Sequence, residues 1–411
     1  MSNERIDRPA IAGGEPAKRT PYGSERRYGA EELAQLREAL EQGTLFYAQG
    51  RKVRALEEAF AARQGVRFAV ACSSGTAAIH AALIALGIGP GDEVITAPIT
   101  DMGSVIPILF QGAVPVFADL HPHRYTLAPE AVEAAITPRT RAVLAVHLTG
   151  NACDLDSLAA LCSRRGVALV EDCAQALACA HRGRPIGSIG RIGCFSLNEF
   201  KHISCGDGGI AVTDDEELAV RLRLATDKCY DRRPGATVRN PTYLPGAYRM
   251  TELQGAVALA QLGKLDSIVD RRRAWCSELS ARLEGTPGIA LPEITPGCEP
   301  SWWFYLLRVT EALHADADAF AEALRREGLP ASAHYIGQCV YEYPIFVQHS
   351  AFARAAHPFA DRPYARGLCP TAEAILRTCV LLAVNEAYTR DDLDETARAI
   401  RRCASWFARK E

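Results

Sequence analysis

Four short stretches of this chain set polar residues where they could bind a phosphate, hold a proton and offer an amine. "CSSGTAAIH" places Ser74, Gly75 and Thr76 between an apolar run and a helical one. Free N–H groups at a helix N-terminus favour an anion there. "VALVEDCAQ" ends an apolar run with Asp172, followed by Gln175, and "IGCFS" ends another with Ser196. Lys201 stands in the next turn, just before the glycine-rich "CGDGG". Each has a plain reading by itself, because Ser-Gly-Thr and Asp cap helices and turn lysines are commonly solvated. Together they make a phosphate cradle, a strand-end carboxylate and an amine, a set that suits pyridoxal 5'-phosphate.

That cofactor's chemistry explains the residue types. Its aldehyde is held by a lysine as a Schiff base, and the same lysine carries protons once substrate displaces it. The chain has six lysines among its 46 basic residues. Lys18 and Lys410 lie near the ends, Lys52 and Lys264 in helical stretches, and Lys228 in the polar segment "DKCYDRR", which leaves Lys201 as the candidate. A buried Asp172 would keep the pyridine nitrogen protonated by raising its pKa.

These residues need a scaffold that gathers them, and the hydrophobic pattern supplies one. "AEELAQLREALEQG" and "KVRALEEAFAARQG" read as amphipathic helices that run into glycine. From "FAVAC" onward the pattern alternates. The helix "GTAAIHAALIALG" is expected to put Ile79, Leu83 and Leu86 on one face, and "DEVITA" follows as a strand. "VIPILFQGA" and "VPVFADL" continue the series into "RAVLAVHL", "LDSLAALCSRRG" and "VALVEDC". Short apolar strands between helices imply an α/β fold with a mostly parallel sheet sandwiched by helices. Polar residues at the C-terminal ends of such strands are where chemistry collects. After a long helical stretch from about Thr251 to Glu284, the rest reads as a smaller α+β domain. The expected division is an N-terminal arm (1–27), a large domain (28–265) and a small C-terminal domain (266–411).

Composition bounds the partners. At 411 residues, with 48% hydrophobic residues and a formal charge of -3, the chain gives no reason to expect nucleic acid or an anionic membrane surface. It lacks an apolar run of the ~20 residues that span a bilayer and a signal-peptide core, so the cytoplasm is the expected location. Its 14 cysteines are dispersed without a C-x-x-C pair, which reads as reduced thiols, and no metal is expected. The acidic "HADAD" at His314 to Asp318 reads as a helix start, "GIGPGD" as a turn, and "RRR" at Arg271 to Arg273 as a solvated helix face.

The chain resembles the DegT/StrS family of sugar aminotransferases, fold-type I enzymes dependent on pyridoxal phosphate. The likeness runs from about Tyr28 to the end and rests on "SSGTAAIHAALIALGIGPGDEV", "VALVEDCAQAL", "FSLNEFKHISCGDGGIAVTDDEELA" and "YRMTELQGAVALAQL", in that order. It implies that Lys201 forms the Schiff base, Asp172 pairs with the pyridine nitrogen and Gln175 contacts the ring's hydroxyl side. Gly75, Thr76 and Ser196 would hold the phosphate. It implies transfer of an amino group from an amino acid, usually glutamate or glutamine, to a keto-sugar or cyclitol ketone, in amino-sugar or antibiotic and other secondary-metabolite biosynthesis. It also implies a homodimer with shared active sites.

Three positions depart from the family pattern. Asp101 or Met102 stands where relatives often carry a ring-stacking aromatic, Ala247 where they carry an asparagine reaching the partner, and Asp207 where they usually have glutamate. His334, Tyr335 and Tyr341 lie where relatives face the acceptor, although such aromatics can equally be small-domain core. His202 is a further candidate for proton transfer. Two alternatives remain at this level. One is a related enzyme of another reaction type, such as a sugar dehydratase, in which histidine replaces the lysine; the other is a non-catalytic sensor of the same fold.

Overall fold

The computed structural model describes residues 8–236, 239, 241–352, 357–359 and 361–409. The first seven residues of the expected arm, and Lys410, lie outside them. In chain order the strands are β1 Phe68–Cys72, β2 Glu93–Thr96, β3 Val114–Phe117, β4 Thr140–Val146, β5 Ala168–Asp172, β6 Ala180–His181, β7 Arg184–Pro185, β8 Ile192–Ser196, β9 Gly209–Thr213, β10 Ile289–Ala290, β11 Cys298–Glu299, β12 Phe304–Val309, β13 Ala331–Ala333 and β14 Cys379–Ala383.

Seven of these strands form the main sheet in the order β1-β9-β8-β5-β4-β2-β3. β9 runs antiparallel to both neighbours, and the other pairings are parallel. Every residue of β2, β3, β8 and β9 is buried, as continuous apolar runs such as "VPVF" and "GIAVT" require when helices cover both faces. The first helices are α1 Ala30–Glu41, α2 Lys52–Gln64, α3 Gly75–Ala85 and α4 Met102–Phe110. α3 buries almost its whole circumference rather than one face, as its alanine-rich, mostly apolar sequence permits. The "VIPILFQGA" run falls largely in α4, with Pro107 inside it. "GIGPGD" is the turn from α3 to β2, with Gly87 and Gly91 at positive φ.

β10, β12, β14 and β13 make a second, antiparallel sheet. A three-stranded sheet, β11-β6-β7, joins the two regions, with Cys298 opposite His181. The stretch after Thr251 is two helices, Glu252–Leu262 and Leu265–Leu283. They break at Gly263 and Lys264, whose amine lies 2.7 Å from Glu32. In "HADAD", Asp316 caps the helix Ala317–Arg326 by accepting the Ala319 N–H at 2.8 Å.

The start of the chain is less loose than its composition implies. Ala10 and Ala17 donate their N–H groups to Glu327, and the buried Lys18 amine lies 2.6 Å from Asp392 and 2.9 Å from Glu395. "RRR" is a solvated face only at Arg271. Arg272 is buried against Glu386 and the carbonyls of Trp302 and Trp303, while Arg273 donates to the carbonyls of Pro300, Ala178 and Glu299. Charge at helical spacing does not reveal such backbone partners. No helix among the described residues is long and apolar enough to cross a membrane.

Candidate active site

The C-terminal ends of β1, β2, β5 and β8 open on one cavity of about 270 Å³, whose wall includes Ser74 to Thr76, Thr100 and Asp101, Asp172, Ser196 and Lys201. At the β1 end, Ser74 caps α3 by accepting the Ala77 N–H at 3.0 Å. The Gly75 and Thr76 N–H groups ahead of it have no partner among the described residues, as the first turn of a helix leaves them. Glycine is needed at 75 because a Cβ there would come within 2.8 Å of the Ser196 Cβ. Gly209, at the start of β9, likewise passes so close to Ser74 that a Cβ would lie 2.2 Å from its carbonyl oxygen. Two hydroxyl-bearing residues, Thr76 and Ser196, line the cavity together with these free N–H groups.

Asp172 ends β5 and is buried. Its Oδ2 accepts the Ser104 hydroxyl at 2.6 Å, and its Oδ1 accepts the Ala174 N–H at 3.0 Å. Burial still pushes its pKa up, against the opposing effects of Ser104, Ala174 and the Lys201 charge. Such a carboxylate favours a cationic partner. Lys201 supplies the cavity's amine, and burial pulls its pKa down against the opposing charges of Asp172 and Asp101. Its Nζ lies 3.8 Å from the centroid of the Trp303 ring.

The residue beside Asp172 shows what fixes this strand end. Glu171 is fully buried and accepts N–H groups of Gly187, Ile189 and Gly190 at 2.7, 2.8 and 2.6 Å, with His147 Nε2 at 3.1 Å. Burial alone would raise its pKa, but His147 and the Gly190 and Gly187 N–H groups hold it below the ordinary carboxylate value. With Cys173, the pair groups three atoms of metal-ligand type, all buried. The Glu171 oxygens are already occupied by those donors, and His147 Nδ1 accepts the Cys153 N–H at 3.1 Å. Glu171→Ala is expected to cost about 3–5 kcal/mol, because it strands buried donors. A lower denaturant midpoint at unchanged m would record it, and an unchanged midpoint would refute this role.

Gln175, on the cavity wall, accepts the Thr149 N–H at 3.0 Å and donates to the Tyr335 hydroxyl at 3.2 Å, so Tyr335 stands one hydrogen bond behind the wall. The other two acceptor-facing candidates are placed elsewhere. Tyr341 is fully buried, its ring 5.6 Å from Phe117 and its hydroxyl donating to Glu373 at 2.6 Å. His334 turns toward the helix at Asp318, 2.8 Å away, with its other nitrogen on the Leu376 carbonyl at 2.9 Å. Hydrogen bonding to Asp318 raises its pKa above the ordinary histidine value. His202 faces away from Lys201, buried on the Ser301 carbonyl at 3.0 Å, and burial holds its pKa well below the usual value.

Among the departures, Asp101 caps α4 through the Gly103 N–H at 2.7 Å while lining the cavity. Met102 enters the first turn of α4. Asp207 also lines the cavity and accepts Asn198 Nδ2 at 2.8 Å, while Ala247 is exposed and bridges Asp227. Sequence reasoning passed over Ser104, Thr149 and Trp303. Ser104 carries one signal: four residues after Thr100, it lies 2.7 Å from that hydroxyl on the same helical start.

The residues fit pyridoxal 5'-phosphate. Unpartnered N–H groups with two hydroxyls suit its phosphate, the under-compensated Asp172 suits its protonated ring nitrogen, and the enclosed Lys201 amine suits its aldehyde.

Comparisons with known proteins agree with that chemistry. A model of the DegT/DnrJ/EryC1/StrS aminotransferase family matches residues 26–401. The chain is 34% identical over 385 residues to the spore coat polysaccharide biosynthesis protein SpsC of Bacillus subtilis (strain 168), covering 91% of this chain and 94% of that protein. Among solved structures, DesV of S. venezuelae, seen in complex with a ketimine intermediate, superposes with a TM-score of 0.81 at 34% identity over 93% of this chain and 95% of that one. DesI, solved in the presence of its TDP-sugar product, gives 0.81 at 29% identity, covering 97% of each chain.

Proposed function

Because the chain belongs to the DegT/DnrJ/EryC1/StrS aminotransferase family, we propose that this cavity moves an amino group from glutamate or glutamine to the ketone of a sugar or cyclitol. The enzyme is a pyridoxal phosphate-dependent aminotransferase of fold type I. The observation that carries the site assignment is the meeting of Lys201, Asp172 and the free N–H groups of α3 in one cavity. The product-bound DesI and the polysaccharide role in the name of SpsC support a sugar, free or nucleotide-linked, as acceptor.

When bound, the cofactor supplies an aldehyde that can carry the nitrogen and a ring that withdraws electrons. Lys201 holds it through its amine and, when displaced, moves the proton at the substrate carbon. A depressed pKa suits both tasks, since the amine accepts a proton readily only when it starts neutral. Asp172 keeps the ring nitrogen protonated, with Ser104 and Ala174 fixing its carboxylate plane. Gly75, Thr76 and Ser196 bind the phosphate, and Gln175 holds the ring's hydroxyl side. Tyr335, whose hydroxyl accepts the Gln175 amide, is the acceptor-side residue in this reading and supports Gln175 from behind.

Adding glutamate or glutamine to the cofactor-loaded enzyme is expected to move its visible absorption toward that of the aminated cofactor. A keto-sugar acceptor should then restore it. A spectrum unmoved by any amino donor would overturn this reading.

A homodimer in the cytoplasm, with residues 28–265 and 266–411 as its two domains, belongs to the same proposal. Phe200, beside Lys201, is 77% exposed, Leu33 68% and Phe110 66%, apolar surface that a second subunit would cover. The fourteen free cysteines suit a reducing compartment.

A further inference from the structure

Buried cations are ordinarily paired with carboxylates. Lys201 is not: among the described residues its amine makes no ion pair or hydrogen bond, and it faces instead the indole of Trp303, 3.8 Å from the ring centroid. A cation within about 6 Å of an indole face is attracted by the negative face of the ring's quadrupole.

The indole is held from several sides. Its Nε1–H donates to the Phe200 carbonyl at 2.8 Å, one residue before Lys201. Its backbone N–H donates to Thr149 at 3.0 Å, its carbonyl accepts Arg272 at 3.3 Å, and its ring packs 4.9 Å from Phe304. Thr149 adopts a φ of 62° and gives its own N–H to Gln175 in the cavity wall. Gly150 follows at a φ of 88°, where a Cβ would lie 2.5 Å from the Trp302 nitrogen. The turn at 149–150 therefore clamps the Trp302–Trp303 segment against the lysine.

We propose that the indole face of Trp303 is the seat of the Lys201 amine whenever that amine is not bonded to the cofactor. Trp303 is then a positioning residue for the proton-carrying lysine, an inference that rests on Lys201 being the cofactor-bearing residue. A carboxylate in the same place would pair with the ammonium and hold its proton. A π face attracts the cation and accepts no proton, so the amine stays at the cavity and remains able to exchange one. The other charged or titratable groups around it are Asp101, Asp172 and Asp207 on the cavity wall, Arg27 on the Lys201 carbonyl at 2.9 Å, and the buried His202.

The test uses cofactor-free, full-length protein with mono-, di- or trifluorotryptophan at position 303, a series that weakens the ring's quadrupole at nearly constant volume. Reactivity of the Lys201 amine toward acetic anhydride is followed against pH by peptide mass spectrometry. The pH of half-reactivity is expected to fall step by step, so that below it the trifluoro protein labels roughly threefold faster than wild type. Trp303→Phe, which keeps a weaker ring, should fall between wild type and Trp303→Leu in the acid limb of the kcat profile. A half-reactivity pH that does not move across the fluorinated series overturns the proposal. A colourless wild-type protein after incubation with cofactor would instead overturn the role of Lys201, and leaves the labelling readout intact.

Discussion

Lys201→Ala is expected to abolish the visible absorption that follows incubation with pyridoxal phosphate and to lower turnover by about 10⁴-fold or more. The residue combines the covalent hold on the cofactor with the proton transfer, so both are lost together. Its amine makes no hydrogen bond or ion pair among the described residues, so the folded state should lose little; what goes is the contact with Trp303. An unfolding midpoint close to wild type would assign the lost activity to chemistry. Attachment should also slow in the wild-type enzyme as pH falls through the depressed pKa of Lys201, where the amine becomes charged. A variant that keeps its colour or a tenth of its turnover would show that another amine does this work.

Asp172→Asn and Asp172→Ala are expected to bind cofactor yet lose roughly 10²–10³-fold or more in turnover, the scale seen when one preorganised electrostatic partner is removed. The stability of the cofactor-free protein should move the other way. Burial raises the pKa of Asp172 above that of an unfolded aspartate, so the folded state binds the proton more tightly. Stability from this group is therefore greatest at low pH and is lost as pH rises through its folded pKa. At neutral pH, Asp172→Asn removes a poorly compensated buried charge, and the cofactor-free variant should unfold no earlier than wild type. Earlier unfolding, or unchanged turnover, would contradict the assignment. Activity and cofactor-free stability are opposed at this position, as they commonly are in binding sites.

The pattern of this sequence is legible where structure is local. Short apolar runs ended by Asp172 and Ser196 mark strand ends, and the Ser-Gly-Thr stretch marks the start of α3. Those positions converge because parallel strands share one C-terminal edge, a rule of the fold class that needs no knowledge of side-chain contacts. Contacts between distant segments are not legible in this way. Nothing about Trp303 in "WWFYLLRVT" announces that its indole meets Lys201, since that meeting depends on Thr149, Gly150 and Arg272, far away in the chain. Tyr341 and His334 failed as acceptor contacts for a related reason. An aromatic or histidine in a loop carries no sign of which way it turns, and Glu373 and Asp318 decide it here. Arg272 was misread because a charge run cannot show that one of its members faces backbone carbonyls.

The sheet order has a consequence for how the protein is made. β1 lies at the edge of the main sheet and pairs with β9 alone, Phe68 opposite Thr213 and Cys72 opposite Gly209. At translation rates of about 5–20 residues per second, β1 leaves the ribosome on the order of ten seconds before its partner exists. During that interval "FAVAC" is an unpaired apolar edge, and closing so long a loop makes the pairing slow as well. The same pairing brings Gly209 against Ser74. The phosphate end of the cavity thus depends on β9, the last strand of the main sheet to be synthesised.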